Sequence, residues 1–342
     1  MTNIDEFDYE LPPARIAQVP LADRSSSKLL VDRGLAPALH STVSALDTLL
    51  QPGDLLVVND TKVLSARLFA RRPTGGRTEV LLLEPVGPAA LALQADVSEW
   101  EVLVKPSKKV APGTELSFDD DLDLHITIGE DLGEGRRRAR IESSSLEAAL
   151  LRAGQMPLPP YITETLDDAD RYQTVYAERP GSAAAPTAGL HLTNELFARL
   201  EGAGIPVARV ELVVGLDTFR PVSVERLDDH HMHSERYRVP EATSRAITEA
   251  DRVVAVGTTT VRALESAARF GPEGATDLFI RDPFDFEVVD VLMTNFHMPK
   301  STLLVMIDAF VGPRWRDLYA EALASNYRFL SFGDAMLLDR TA

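Results

Sequence analysis

From about residue 65 to residue 145 the chain consists of short apolar stretches of strand length, separated by Gly, Pro and Asp turns, with little of the period of a helix. Strands are expected at Thr78 to Leu83, Leu91 to Ala95, Glu99 to Val104, Thr114 to Phe118, Leu122 to Ile128 and Arg137 to Ile141. Closely spaced short strands joined by turns specify a small antiparallel barrel or sandwich. This feature constrains the fold more than any other, because it splits the chain in two.

After the linker Gly154 to Pro160 the pattern becomes one of alternating strands and helices. A helix is expected over Leu190 to Leu200, with Thr187 or Thr193 as its N-cap, and a strand over Val207 to Val214. The strand Arg252 to Val256 runs through Gly257-Thr258-Thr259-Thr260 into a helix over Val261 to Phe270, and Ser301 to Phe310 begins another. Such alternation implies an α/β domain. Residues 1–60 offer a strand at Lys28 to Val31, a short helical stretch at Val43 to Leu50 and the apolar strand Leu55 to Val58, too little to fold alone. The expected architecture is therefore α/β. A larger α/β domain (residues 1–61 and 153–342) is interrupted by an inserted all-β, barrel-like domain (residues 62–152).

The chain has 342 residues and no cysteine, which excludes a disulfide framework, cysteine-ligated zinc, iron–sulfur clusters and thiol nucleophiles. The acidic opening Met1 to Leu11 has no apolar signal region, and runs such as Leu303 to Ile307 fall far short of the roughly 20 residues that span a bilayer. A cytoplasmic location without membrane contact is expected, and a monomer. The formal charge of −17 opposes general binding to a polyanion. The basic residues are nevertheless clustered: Arg71, Arg72 and Arg77 around Gly75-Gly76, then Lys105, Lys108 and Lys109, then Arg136, Arg137, Arg138 and Arg140. Arg71, Arg72, Lys108, Lys109, Arg136, Arg137 and Arg138 form a candidate RNA-contacting face on an acidic body. The competing reading is that they are solvated strand ends.

Five clusters are richer in polar, small and imidazole residues than a scaffold requires. Arg171 to Tyr176 precedes the small-residue run Gly181 to His191, where backbone can approach a ligand closely. His230-His231-Met232-His233-Ser234-Glu235 invites a metal reading, but no partner motif with metal-ligand spacing accompanies it, so no metal is expected. Gly257 to Arg262 forms a strand–turn–helix able to hold an anion; it matches neither the dinucleotide nor the triphosphate glycine pattern. Thr294 to Thr302 gathers an amide, an aromatic ring, an imidazole and an ammonium before a helix. Asn59-Asp60-Thr61-Lys62 lies just past a buried strand, where α/β crevices open. Together these describe one polar pocket of nucleotide size.

In order and spacing these blocks resemble the S-adenosylmethionine:tRNA ribosyltransferase-isomerase family, from Phe7-Asp8-Tyr9 to Phe332-Gly333-Asp334-Ala335-Met336. The resemblance implies an α/β domain with an inserted β-barrel and a role in queuosine biosynthesis. S-adenosylmethionine would serve as ribosyl-donor substrate, with no cofactor. Its ribosyl group would pass to a 7-aminomethyl-7-deazaguanine at the tRNA wobble position, as adenine and methionine leave. That chemistry needs a base beside the sulfonium and a proton for adenine. The acid–base candidates are His191, His233 and His297. Tyr172, Gln173, Thr187, Thr258, Thr259, Arg262, Asn295 and Lys300 are the candidates for the substrate pocket.

The departures from the family pattern gather around two segments. Leu212-Val213-Val214-Gly215-Leu216-Asp217-Thr218-Phe219 stands where Leu-His-Val-Gly and Gly-Thr-Phe are usual, so an imidazole is replaced by Val213 and a glycine by Asp217. Arg281-Asp282-Pro283-Phe284 replaces a Tyr-Pro-Gly-Tyr run, Asp290-Val291-Leu292 replaces Asp-Gly-Leu, and Ser65 stands for a proline. Two further readings therefore stay open. One is a paralogue that transfers the ribosyl group to a small amine or nucleoside. The other is a degenerate RNA- or nucleoside-binding protein.

Overall fold

A computed structural model describes residues 2–34, 37–87, 89–118, 123–215, 222 and 224–340. It is a mixed α/β protein that divides into two compact units: Met1–Asp60, Pro160–Tyr176 and Pro186–Ala342 in one, Thr61–Pro159 and Ala177–Ala185 in the other.

The first unit is organised by a nine-stranded sheet. Its centre is four parallel strands in the order Val207–Leu212, Asp54–Asn59, Arg252–Val256 and Val291–Asn295. Glu235–Arg238 and Glu273–Thr276 extend one edge; Ala335–Asp339, Lys28–Asp32 and Leu39–Thr42 extend the other. Leu55-Leu56-Val57-Val58 and Val253-Val254-Ala255-Val256 are apolar without alternation because both faces are covered, as parallel strands require. One face packs Leu56, Val58, Val254, Val256 and Met293 against Leu196 and Leu200 of the helix Asn194–Gly202. The helix Thr258–Phe270 packs on the same sheet and buries Val261, Ala263 and Leu264.

Two expectations for helices are adjusted here. The stretch expected to be one helix from Leu190 is a 3-10 turn, Thr187–His191, followed by Asn194–Gly202, whose N-cap Thr193 accepts from the Leu196 N–H. The break falls at Leu192-Thr193 because a capping residue must take extended backbone. Ser301 likewise caps Thr302–Val311, its hydroxyl accepting from the Leu304 N–H.

The second unit carries a seven-stranded antiparallel sheet: Gly154–Gln155, Arg67–Arg71, Arg77–Pro85, Val97–Lys105, Arg136–Glu142, His125–Gly133 and Glu115–Leu116. The sheet curls until Arg71 and Ser117, near its two edges, exchange backbone hydrogen bonds of 2.8 and 3.0 Å. Leu68, Val80, Trp100, Val102, Ile126 and Ala139 fill the interior. Residues 177–185 return to this unit, with Arg179–Ser182 pairing parallel to Thr61–Val63. The strand expected at Leu91 to Ala95 is instead a helix, Ala89–Gln94. Leu-Ala-Leu alternates like a strand, yet both residues are strong helix formers, and propensity wins where no partner strand is available. The strand expected over Thr114 to Phe118 is reduced to Glu115–Leu116 and the bridge at Ser117, and Leu122 lies outside the described residues. Among the described residues no helix is long and apolar enough to cross a membrane.

Candidate active site

The four parallel strands of the α/β unit end on one edge of the sheet, and the segments leaving them meet there. Asn59 ends its strand with a side-chain amide that donates to the Leu212 carbonyl at 2.9 Å and accepts from the Leu212 N–H at 3.2 Å. The same amide lies 3.5 Å from the Thr259 hydroxyl, so two strand ends and the start of the next helix are tied together. Gly257 makes the strand-to-helix turn with φ 88°, a left-handed conformation that a side chain would strain. Its N–H donates to the Met293 carbonyl, and Ala188 lies 3.6 Å from where a Cβ would stand. The Thr187–His191 turn therefore lies against this crossing. Thr258 is buried and Thr259 half-buried at the first turn of the helix, whose unpaired N–H groups favour an anion.

His191 is buried in this region. Its Nε2 accepts from the Asn295 side-chain amide at 3.1 Å and its Nδ1 lies 3.0 Å from the Ser27 hydroxyl. An amide nitrogen only donates, so Nε2 is the bare nitrogen and Nδ1 carries the proton towards Ser27. Burial, reinforced by the Arg328 charge, pushes the His191 pKa down to about 4. Asn295 also donates to the Leu330 carbonyl and accepts from the Thr187 hydroxyl at 3.4 Å. His191, Thr187 and Asn295 are thus joined at the end of one strand, and the Asn59–Thr259 contact marks the ends of its neighbours.

The remaining candidates are placed differently. The His297 ring lies 3.0 Å from the Thr294 hydroxyl, and the backbone N–H of His297 donates to the Tyr319 phenol inside a cluster of Phe296, Tyr319 and Phe329. Burial pushes its pKa down to about 3. His233 is exposed, and its carbonyl accepts from Arg262 at 2.9 Å. Arg262 itself is buried. It pairs with buried Glu235 and donates to the carbonyls of Thr276 and Leu278, so its charge is met inside the fold by the Glu235 carboxylate. Lys300, at φ 53°, binds Asp5 at 2.8 Å and Asp8 at 3.1 Å, which raise its pKa and hold it to the first turn of the chain. Tyr172 is buried edge-on to Phe332, and the Gln173 carbonyl accepts from Arg24 at 2.6 Å. Tyr176, in the same motif, has its pKa raised by burial and by the charge of buried Asp60. Ser27 carries no sequence signal at all; only the fold brings it to His191.

At the departures, half-buried Val213 donates its N–H to the Arg236 carbonyl, and Val291 is a core residue of its strand. Arg281 pairs with Asp228 at 2.6 Å. Leu216, Asp217, Thr218 and Phe219 lie outside the described residues.

The third basic cluster of the β-rich unit requires a correction. Arg137 points inward, is buried and pairs with Asp131, and Arg136 pairs with Glu101 at 3.2 Å. Arg138 and Arg140 face Glu101 and Glu99 across the register. Alternation along the strand turns Arg137 inward with Ala139 and Ile141, and glutamates on this strand and its neighbour answer the outward-facing arginines. Arg71 and Arg72, by contrast, flank a hairpin tip, and Lys108 and Lys109 are exposed in the turn Ser107–Lys109.

Open α/β sheets bind small ligands at the C-terminal ends of their parallel strands, and this chain is an α/β protein with polar groups gathered there. The profile of a family described as "Queuosine biosynthesis protein" matches residues 4–338. An S-adenosylmethionine:tRNA ribosyltransferase-isomerase of Rubrobacter xylanophilus is 50% identical over 340 residues, spanning 98% of this chain and 97% of that protein. Its namesake from Thermotoga maritima is 46% identical over 346 residues. The crystal structure of an S-adenosylmethionine tRNA ribosyltransferase from Thermotoga maritima aligns with TM-score 0.54 and 37% identity, covering 97% of this chain and 99% of that one. The chain belongs to the S-adenosylmethionine:tRNA ribosyltransferase-isomerase family of queuosine biosynthesis, and it is a transferase.

Proposed function

We propose that this enzyme transfers the ribosyl moiety of S-adenosylmethionine to a 7-aminomethyl-7-deazaguanine base at the wobble position of tRNA. The ribosyl moiety isomerises to the epoxycyclopentane of epoxyqueuosine, with release of adenine and methionine. The observation that carries this reading is full-length likeness to relatives of that name, at 45–50% identity. The polar strand ends supply a compatible site within the α/β unit. In this reading residues 62–152 act as an inserted domain that meets the RNA.

The sulfonium acidifies the ribose C5′ protons, so a neutral base can open the reaction, and departing adenine takes up a proton. Among His191, His233 and His297, His191 fits the base role best. Its bare Nε2 faces the Asn295 amide at the end of the parallel strand. Rotation of that amide onto the substrate would free Nε2 to accept the proton. In this reading Thr187, Thr258, Thr259, Tyr172 and Gln173 line the nucleoside pocket, while Arg262 and Lys300 are held in ion pairs with Glu235 and with Asp5 and Asp8.

The test is adenine release from S-adenosylmethionine in the presence of tRNA with or without the modified base. Release only with the modified tRNA is expected. Release with a small amine instead would point to the paralogous activity that Val213 and Arg281 to Phe284 suggest. No release with any acceptor would leave a binding protein.

A further inference from the structure

We propose that the outer face of the seven-stranded sheet, centred on Phe69, is a platform on which an unpaired base of an RNA strand stacks while surrounding cations hold its phosphates. The proposal rests on the reading of tRNA as substrate and adds the surface and the strandedness it recognises.

The strand Arg67–Arg71 alternates: Leu68 and Ala70 are buried, which leaves Arg67, Phe69 and Arg71 on the outer face. Phe69 is 51% exposed there. Single exposed apolar residues are common and need no explanation. What distinguishes Phe69 is its setting. An arginine lies two positions away on either side, on the same face. The register places Glu79 opposite Phe69 and Lys105 beyond it on the next strand, with Arg77 opposite Arg71. Glu79 is drawn aside by Arg67 at 3.3 Å.

More cations are fixed at the same end. The Arg72 guanidinium donates to the carbonyls of Gly76 and Lys109, each at 3.3 Å, which ties the hairpin tip to the turn carrying Lys108 and Lys109. Among the described residues Arg77, Lys105, Lys108 and Lys109 are exposed and make no ion pair, whereas Arg136, Arg137 and Arg140 all do. An exposed ring with Arg77 and Lys105 free of ion pairs on the neighbouring strands is the chemistry of a single-stranded nucleic acid site: the ring stacks a base and the cations follow the backbone. A duplex, with its bases already stacked, would gain from the cations and nothing from the ring.

Phe69 is exposed, so its replacement leaves the interior intact. Binding of the full-length enzyme to fluorescent tRNA, to a twelve-nucleotide oligo(A) and to an RNA duplex of equal length tests the assignment. F69A should weaken oligo(A) and tRNA binding by about 5- to 100-fold, the usual range for one lost stacked base, with duplex binding unchanged. F69W should bind at least as well as the parent. Equal affinity of F69A and parent for oligo(A) and tRNA would overturn the platform alone. Equal loss on the duplex would overturn stacking in favour of a nonspecific effect. If the parent itself bound no RNA, the tRNA reading would fall with it.

Discussion

The hydrogen bonds around His191 fix its tautomer and its charge, and both have consequences that can be measured. In the unfolded chain residue 191 binds a proton near pH 6.5; in the fold it does so only near pH 4. Between those values the unfolded state holds the extra proton, so stability rises with pH across the window, is complete above 6.5 and is lost on acidification. A depression to about 4 corresponds to roughly 3 kcal/mol when fully expressed. We expect urea denaturation to show that the parent loses about 2 kcal/mol more than H191Q between pH 7.5 and 5. Parallel losses would mean that His191 titrates freely. Activity separates a base from a structural group at this position: H191A should lower turnover by about 10²–10⁴-fold with little change in S-adenosylmethionine affinity. The sequence marked His191 as polar and special, but not its state. Its partners Ser27 and Asn295 are 164 and 104 positions away, a distance no local pattern spans. Arg262 shows the converse: it reads as an anion-binding cation until Glu235 is seen to consume it.

At the level of elements, the helix Thr258–Phe270 does more than begin at the site. Glu265 is fully buried on it, accepts the backbone N–H groups of Glu287, Val288 and Val289, and pairs with Arg269 at 2.7 Å. Arg269 in turn lies over the Phe284 ring and donates to the Asp285 carbonyl. Together they pin the segment carrying the second departure from the family pattern. E265A would leave three N–H groups without their acceptor and remove an ion pair of Arg269. We expect it to cost about 3 kcal/mol or more in urea unfolding and to speed hydrogen exchange at residues 287–289. R269A, at a more exposed position, should cost less. A neutral E265A would mean that the segment is held elsewhere. The parallel strands were legible as unbroken apolar runs. This clamp was not, because Glu265 and Arg269 at i, i+4 look like a solvent-facing helical pair. Only the crossing of residues 285–289 buries them. The misread helix Ala89–Gln94 has a related cause, since five residues of Ala and Leu before Gln94 carry too short a pattern to separate period 2 from 3.6.

For the whole molecule the question is how a chain of charge −17 meets RNA. The β-rich unit carries fourteen basic and sixteen acidic side chains, so nearly all of the excess negative charge belongs to the α/β unit. The change from strand-only to strand–helix sequence made this partition visible; the pairing of individual arginines needed the sheet register. If the hairpin-tip cations meet phosphates, each lost contact should reduce the slope of log affinity against log salt by about 0.7 on single-stranded RNA. The triple variant R77A/K105A/K108A should thus flatten the slope by about 2. Replacing Arg136, Arg138 and Arg140 by alanine removes positive charges that Glu99, Glu101 and Glu142 already oppose, and should leave the slope nearly unchanged. Both triple variants change the net charge by the same amount, so a mechanism based on overall charge predicts equal effects. Equal slopes for the two would therefore rule out a local phosphate site, whereas a difference confined to the first locates the RNA at the curled sheet's hairpin end.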